Sequence, residues 1–165
     1  MPLSSALPSS LKVTPPSTSG WVGFSNSGYN GLTNATAGIP VNDDTYASYF
    51  WMKGAYSGII NLKLVGAASG IVYASQNVTV TSTASAFSYH ELTNWKSTQS
   101  PDGNNLWVLT FDSSLVASGE SLWFGLPQLF GVTYHDRYNG LRKDIATFLE
   151  QIGGSFLRFP GGNNM

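Results

Sequence analysis

The fold this sequence predicts is mainly β: a jelly-roll β-sandwich, followed by one helix and one short strand. Three observations predict it. Runs rich in Val, Ile, Thr and aromatic residues recur over residues 11–130, with turn-forming residues between them. Within those runs the side chains alternate with period two: in residues 59–65, Ile60, Leu62 and Leu64 share one side, and Asn61 and Lys63 take the other. After Gly131 the pattern changes, because apolar residues recur at helical spacing and a strand-like run then breaks at Pro160-Gly161-Gly162. A chain of 165 residues holds one full domain and a remnant, so the expected division is a sandwich over 1–133 and an α/β piece over 134–165.

Taken in order, the first segment holds Pro2, Pro8, Pro15 and Pro16, which exclude a helix and leave room for one edge strand at 11–13. A run at 21–24 follows, then a polar loop over 25–37, long enough to suggest a function of its own. Residues 45–53, TYASYFWMK, are β-rich, and Gly54 with Ser57-Gly58 marks the turn into 59–65. Further strands are predicted at 71–74, 77–81, 86–92, 106–111 and 122–130, with Pro101-Asp102-Gly103 supplying turn chemistry between two of them. About eight strands at this spacing imply a jelly roll. In the last segment Leu141, Ile145, Phe148, Leu149 and Ile152 form one helix face, while Arg142, Lys143, Asp144, Glu150 and Gln151 form the other. Asn139 suits the N-cap, and Gly153 or Gly154 the left-handed residue that ends the helix.

Composition excludes several functions. Charged residues are 10% of the chain and the net charge is -1, with Lys and Arg scattered, so nucleic acid is not an expected partner. No apolar run reaches bilayer length, so no membrane partner is expected. The start MPLSSALPSSLKV lacks the basic and apolar regions of a signal peptide, and no export signal is expected in the chain as written. With no cysteine and only His90 and His135, disulfides, thiolate chemistry and a Cys- or His-built zinc site are excluded. An all-carboxylate calcium site stays open, but no metal and no cofactor is assigned.

The acids do not form a catalytic pair. Hydrolysis of a glycosidic bond usually needs two carboxylates at fixed separation, one of them protonated. Asp43, Asp44, Asp102 and Glu120 fall in turn-like segments, Glu91 in a strand, and Asp144 and Glu150 on the polar helix face, so no catalytic residue is assigned. No Gly-x-Ser-x-Gly elbow with a His partner occurs, and Gly161-Gly162 lacks the Lys-Ser/Thr of a phosphate loop. Arg158 stands out, near the end of a strand of otherwise buried type, where a guanidinium needs an anionic partner. At the C-terminal end of a parallel-barrel strand, Arg158, Asn163 and Asn164 would project toward an active site. Aromatic rings on the sandwich could stack on sugars, whose C–H face meets a π cloud; Tyr29, Trp51 and Trp95 are the candidates, since most other large rings are needed as core. Asn34-Ala35-Thr36 and Asn77-Val78-Thr79 make Asn34 and Asn77 glycosylation candidates.

Several strings carry a family resemblance. GSFLRFPGGNN at 154–164, NGLRKD at 139–144, PLSSALP at 2–8, VGFSNSGY at 22–29 and FWMKG at 50–54 resemble the fungal α-L-arabinofuranosidases of glycoside hydrolase family 51. The resemblance runs nearly end to end, and RFPGGNN is its most specific part. It implies a carbohydrate-binding-like sandwich inserted early in a (β/α)8 catalytic barrel, which resumes with the helix and strand seen here. It also implies that Arg158 supports a catalytic carboxylate and that Asn163 lines the arabinose pocket. The family is retaining and uses two glutamates on later strands; both are expected beyond Met165, and the first barrel strand before Met1. Two departures stand out: the usual Leu-Glu-Gly continuation is replaced by Met165, and the loop is expanded over 31–37.

The resemblance thus implies a fragment, truncated within the barrel, of an enzyme that removes terminal non-reducing α-L-arabinofuranosyl residues from arabinan or arabinoxylan. The fragment is expected to be inactive alone, to come from a secreted parent, and to have an arabinose-containing polysaccharide as its partner. Two rivals are a stand-alone carbohydrate-binding module and a structural insert that binds nothing, because likeness of fold does not establish binding. The apolar face of the helix is expected to fold back on the sandwich, to pair with another copy, or to fray.

Overall fold

The computed structural model describes residues 2–28, 38–137 and 140–155. The chain divides into two compact units, Met1–Phe130 and Gly131–Met165. The first holds eight strands: β1 (Leu11–Val13), β2 (Trp21–Asn26), β3 (Thr45–Lys53), β4 (Tyr56–Gly66), β5 (Val72–Ser82), β6 (Ser88–Lys96), β7 (Asn105–Asp112) and β8 (Leu122–Gly131). They form two four-stranded sheets, in the order β1-β8-β3-β6 and β2-β7-β4-β5. Apart from β4 and β5, which are joined as a hairpin, successive strands alternate between the sheets. That ordering is the double Greek key of a jelly roll, as the sequence predicts.

Alternation fixes which side chains fill the space between the sheets. Along β3 every second residue is buried, so Tyr46, Ser48, Phe50 and Met52 point inward, while Tyr49 and Trp51 point out. Ile60, Leu62 and Leu64 of β4, Trp107, Leu109 and Phe111 of β7, and Leu122 and Phe124 of β8 complete the core. Phe111 sits at its centre, edge-on to Tyr56 at 5.8 Å and stacked on Phe124 at 6.0 Å. One end of the sandwich is tied by Asn105, 1% exposed, whose side-chain amide donates to the carbonyls of Ile39 and Asp102 and to Ser100 Oγ.

Three expectations about the strands change. The turn before β4 is Gly54-Ala55, and Ser57-Gly58 lies inside the strand. Gly58 is there because a Cβ would stand 2.5 Å from Leu115 Cδ1, so the position calls for glycine by packing and not by turn chemistry. The strands expected at 71–74 and 77–81 are one strand: Ser75 and Gln76, polar though they are, keep the ladder by pairing with Lys63 and Leu62. β6 runs on to Lys96 instead of stopping at Leu92, through a bulge at Asn94, which has φ 60°.

In the second unit, α1 (Lys143–Ile152) ends at Gly153, whose φ of 64° and ψ of 39° give the left-handed residue expected there. Arg142 takes the N-cap place, and Asn139 lies outside the described residues. Tyr134 Oη donates to Glu150 Oε2 at 2.6 Å, and Thr133 bridges Arg142, so the segment before the helix is held to it. The predicted apolar face is exposed: Leu141 63%, Phe148 64% and Ile152 62%. The buried helix residue is Ala146. Apart from Ser155, the strand expected at 155–159 lies outside the described residues. Among the described residues no helix is long and apolar enough to cross a membrane.

Candidate functional site

The outer face of the β1-β8-β3-β6 sheet carries the densest set of aromatic rings outside the core. Register sets it up: Trp51 lies opposite Tyr89, and Tyr49 opposite Glu91, across the β3–β6 pairing. Cross-strand neighbours on one face approach closely enough for rings to touch. Tyr49 stacks on Tyr89 at 6.2 Å with 11° between planes, Trp51 meets Tyr89 at 5.4 Å, and Tyr49 meets Phe130 at 5.9 Å. Tyr89 is 47% exposed and Phe130 50%. Lys53 Nζ donates to the Ser85 carbonyl, and Glu91 accepts from Tyr89 Oη at 3.1 Å. Farther along the same face, Lys12 sits over the Trp123 ring at 5.7 Å.

Of the two stacking candidates among the described residues, Trp51 is in this platform and Trp95 is not. Trp95 is buried, 3% exposed, and edge-on to Tyr46 at 6.2 Å, so it is a core residue and offers no face to a sugar. The cause is the bulge at Asn94: the pairing passes from Ser48–Leu92 to Tyr46–Trp95, which takes two steps on β3 and three on β6 and turns the indole inward. Tyr29 lies outside the described residues, as do Arg158, Asn163, Asn164 and the glycosylation candidate Asn34. Asn77 is exposed on β5, and its Oδ1 accepts from Asn61 Nδ2 at 2.6 Å.

Tyr49, Tyr89 and Phe130 are not among the sequence candidates, and Phe130 is the one that the sequence pattern points the wrong way. It has the same parity as Leu122 and Phe124, both buried, so simple alternation sends it inward. Leu126, with φ 48° before Pro127, breaks that alternation; Leu129 then packs on the core and Phe130 faces out.

The carboxylates give no acid for glycoside cleavage. None of the nine is buried. Hydrogen bonds from Ser114 hold Asp112 below the usual carboxylate range. The Arg142 guanidinium, 2.6 Å away, lowers Asp144 to about 2. A general acid needs the opposite shift. His90 is half-buried between Ser88 Oγ, at 2.8 Å, and the Phe50 ring, and burial pushes its pKa down. Among the described residues no three His, Asp or Glu side chains cluster as metal ligands. An open cleft of about 370 Å³, lined within residues 15–19 and 113–120, offers chiefly serine hydroxyls and small side chains.

Fold and surface together define a class: a jelly-roll module with an aromatic outer face, followed in the chain by a second compact unit. Comparison with known proteins shows what the chain is similar to. Alpha-L-arabinofuranosidase A of Aspergillus niger is 47% identical over 165 residues, covering 99% of this chain and 25% of that protein. A probable alpha-L-arabinofuranosidase A of Emericella nidulans is 46% identical over 166 residues, 28% of its length. A solved arabinose-bound family 51 α-L-arabinofuranosidase superposes with a TM-score of 0.79 at 34% identity, covering 99% of this chain and 26% of that one. No family model matches. The chain is therefore homologous to the fungal α-L-arabinofuranosidases of glycoside hydrolase family 51, and it spans about a quarter of the length of the curated relatives it matches.

Proposed function

We propose that this chain is the sandwich-bearing portion of a retaining α-L-arabinofuranosidase and contributes no catalytic carboxylate itself. In this reading the whole enzyme releases terminal α-L-arabinofuranosyl residues from arabinose-containing glycans such as arabinan or arabinoxylan. The observation that carries it is the 47% identity across 99% of the chain. The exposed acids support the second half, since the two with displaced pKa values are shifted toward stronger ionisation, away from what a proton donor needs. Residues 134–165 belong, in the same reading, to the catalytic barrel, with Arg158 supporting a carboxylate and Asn163 and Asn164 near the sugar. The parent is exported, a reading in keeping with the exposed Asn77 sequon.

A chimera tests this. The matching quarter of the Aspergillus niger enzyme is replaced by this chain, and hydrolysis of an aryl α-L-arabinofuranoside is measured beside the chain alone. The chimera is expected to turn over and the isolated chain to be silent. A folded but inactive chimera, or turnover by the isolated chain that survives repurification, overturns the proposal.

A further inference from the structure

The geometry points to a second sugar site on this chain: the outer platform of Tyr49, Trp51, Tyr89 and Phe130 binds a neutral glycan by ring stacking. The choice of an arabinose-bearing glycan as ligand rests on the function proposed above; the platform itself does not. Rings held this way are rare on an exposed sheet face, where large apolar groups stand in water unless something covers them. They are not loosely placed, because Tyr49 is gripped between Tyr89 and Phe130 and Trp51 leans on Tyr89, so little ordering remains to be done on binding. A sugar presents C–H hydrogens with a slight positive charge to the negative face of such rings and keeps its hydroxyls for water and for polar neighbours.

Charge selects among occupants. Among the described residues, one cation, Lys53, and one anion, Glu91, flank the rings, and each is already engaged by a neutral group, Ser85 and Tyr89 respectively. The platform therefore presents no net charge to a polyanion or to a basic peptide, and a neutral polysaccharide matches it. The carboxylate of Glu91 stands at the rim as an acceptor for sugar hydroxyls. The opposite sheet is mixed: Ser57, Asn61, Lys63, Asn77 and Thr81 share its outer face with Trp21, Ile59 and Val108, and among the described residues no aromatic ring on it meets another.

Affinity electrophoresis of the full chain in gels containing soluble arabinoxylan or linear arabinan tests the site. Retardation is expected, and Trp51→Ala should weaken it by about tenfold or more while Lys63→Ala on the other sheet leaves it unchanged. Circular dichroism checks that the variants fold; if Trp51→Ala does not, Tyr89→Ala on the edge strand takes its place with the same readout. Unretarded migration of the folded chain overturns the inference, as does retardation that neither substitution changes. Sedimentation equilibrium supplies the remaining outcome: a dimer that Trp51→Ala dissolves assigns the face to a second copy and overturns the glycan. The chimera's hydrolysis of a small aryl arabinoside does not depend on any of these results, so failure of the platform and failure of the proposed function are distinguishable.

Discussion

The two outer faces of the sandwich share one core and are furnished differently. On the β2-β7-β4-β5 sheet, neighbouring strands are joined by amides and hydroxyls: Asn61 Nδ2 reaches Asn77 Oδ1 at 2.6 Å, and Ser57 faces Thr81 at 3.4 Å. Ile59 and Trp21 stand exposed on the same face, so it mixes polar and apolar groups, as an antiparallel sheet with one solvated face allows. On the β1-β8-β3-β6 sheet the equivalent positions hold Tyr49, Trp51, Tyr89 and Trp123. The burial pattern is alike in β3 and β4, so burial does not decide what an outward position carries. What stands there reflects a use of the surface, and the aromatic sheet is the one with a use left to find.

Four substitutions break or sharpen that contrast, from the largest effect down. Phe111→Ala opens a void where both sheets meet and should cost about 3–5 kcal/mol in urea unfolding. Tryptophan fluorescence and far-ultraviolet circular dichroism should lose their signals together, and separate transitions would mean that the faces do not share one cooperative core. Tyr49→Ala removes ring contacts on both sides and should cost about 1–2 kcal/mol. Asn61→Ala on the polar sheet should cost about 1 kcal/mol, since its amide partners regain water. Equal losses from these two would erase the energetic difference between the faces.

The smallest effect is a pH dependence. His90, inward from the edge strand of the aromatic sheet, has its pKa lowered by burial, so the unfolded chain binds its proton more readily than the folded one. The contribution is full above the ordinary histidine pKa and falls as pH drops through that value toward the lower folded one. The urea midpoint should therefore decline between about pH 7 and 5, and His90→Gln should flatten the decline. A midpoint that rises on acidification reverses the sign and the argument.

Much of this was legible in the sequence because burial has a period. β3 matches its predicted bounds, the jelly roll follows from strand count and spacing, and Gly153 ends the helix as its position suggests. What was not legible lies where the period slips. Asn94 sends Trp95 into the core, and Leu126 before Pro127 turns Phe130 out of it. A single left-handed residue changes the face of every side chain after it, and its sequence signal is no more than an asparagine or a residue before proline. Gly58 misled in a second way: it reads as a turn, yet it clears space for Leu115 inside a strand. Of the four platform rings Trp51 was the one named from the sequence, and Phe130 was hidden.

The pairing of β1 with β8 has a consequence for how the molecule comes into being. Leu11, Lys12 and Val13 find their partners in Phe124, Trp123 and Leu122, at the far end of the sandwich sequence, and Thr14 reaches Ser121 at 2.8 Å. During synthesis β1 emerges before the rest of the sandwich and must wait for almost the last of it before its sheet can close. Contacts so distant along the chain make for slow folding, and until they form β3 lacks its β8 neighbour and lies open as an unpaired edge. A ribosome stalled before residue 122 would therefore display a sticky half-sandwich, and that is the interval in which a chaperone has something to hold.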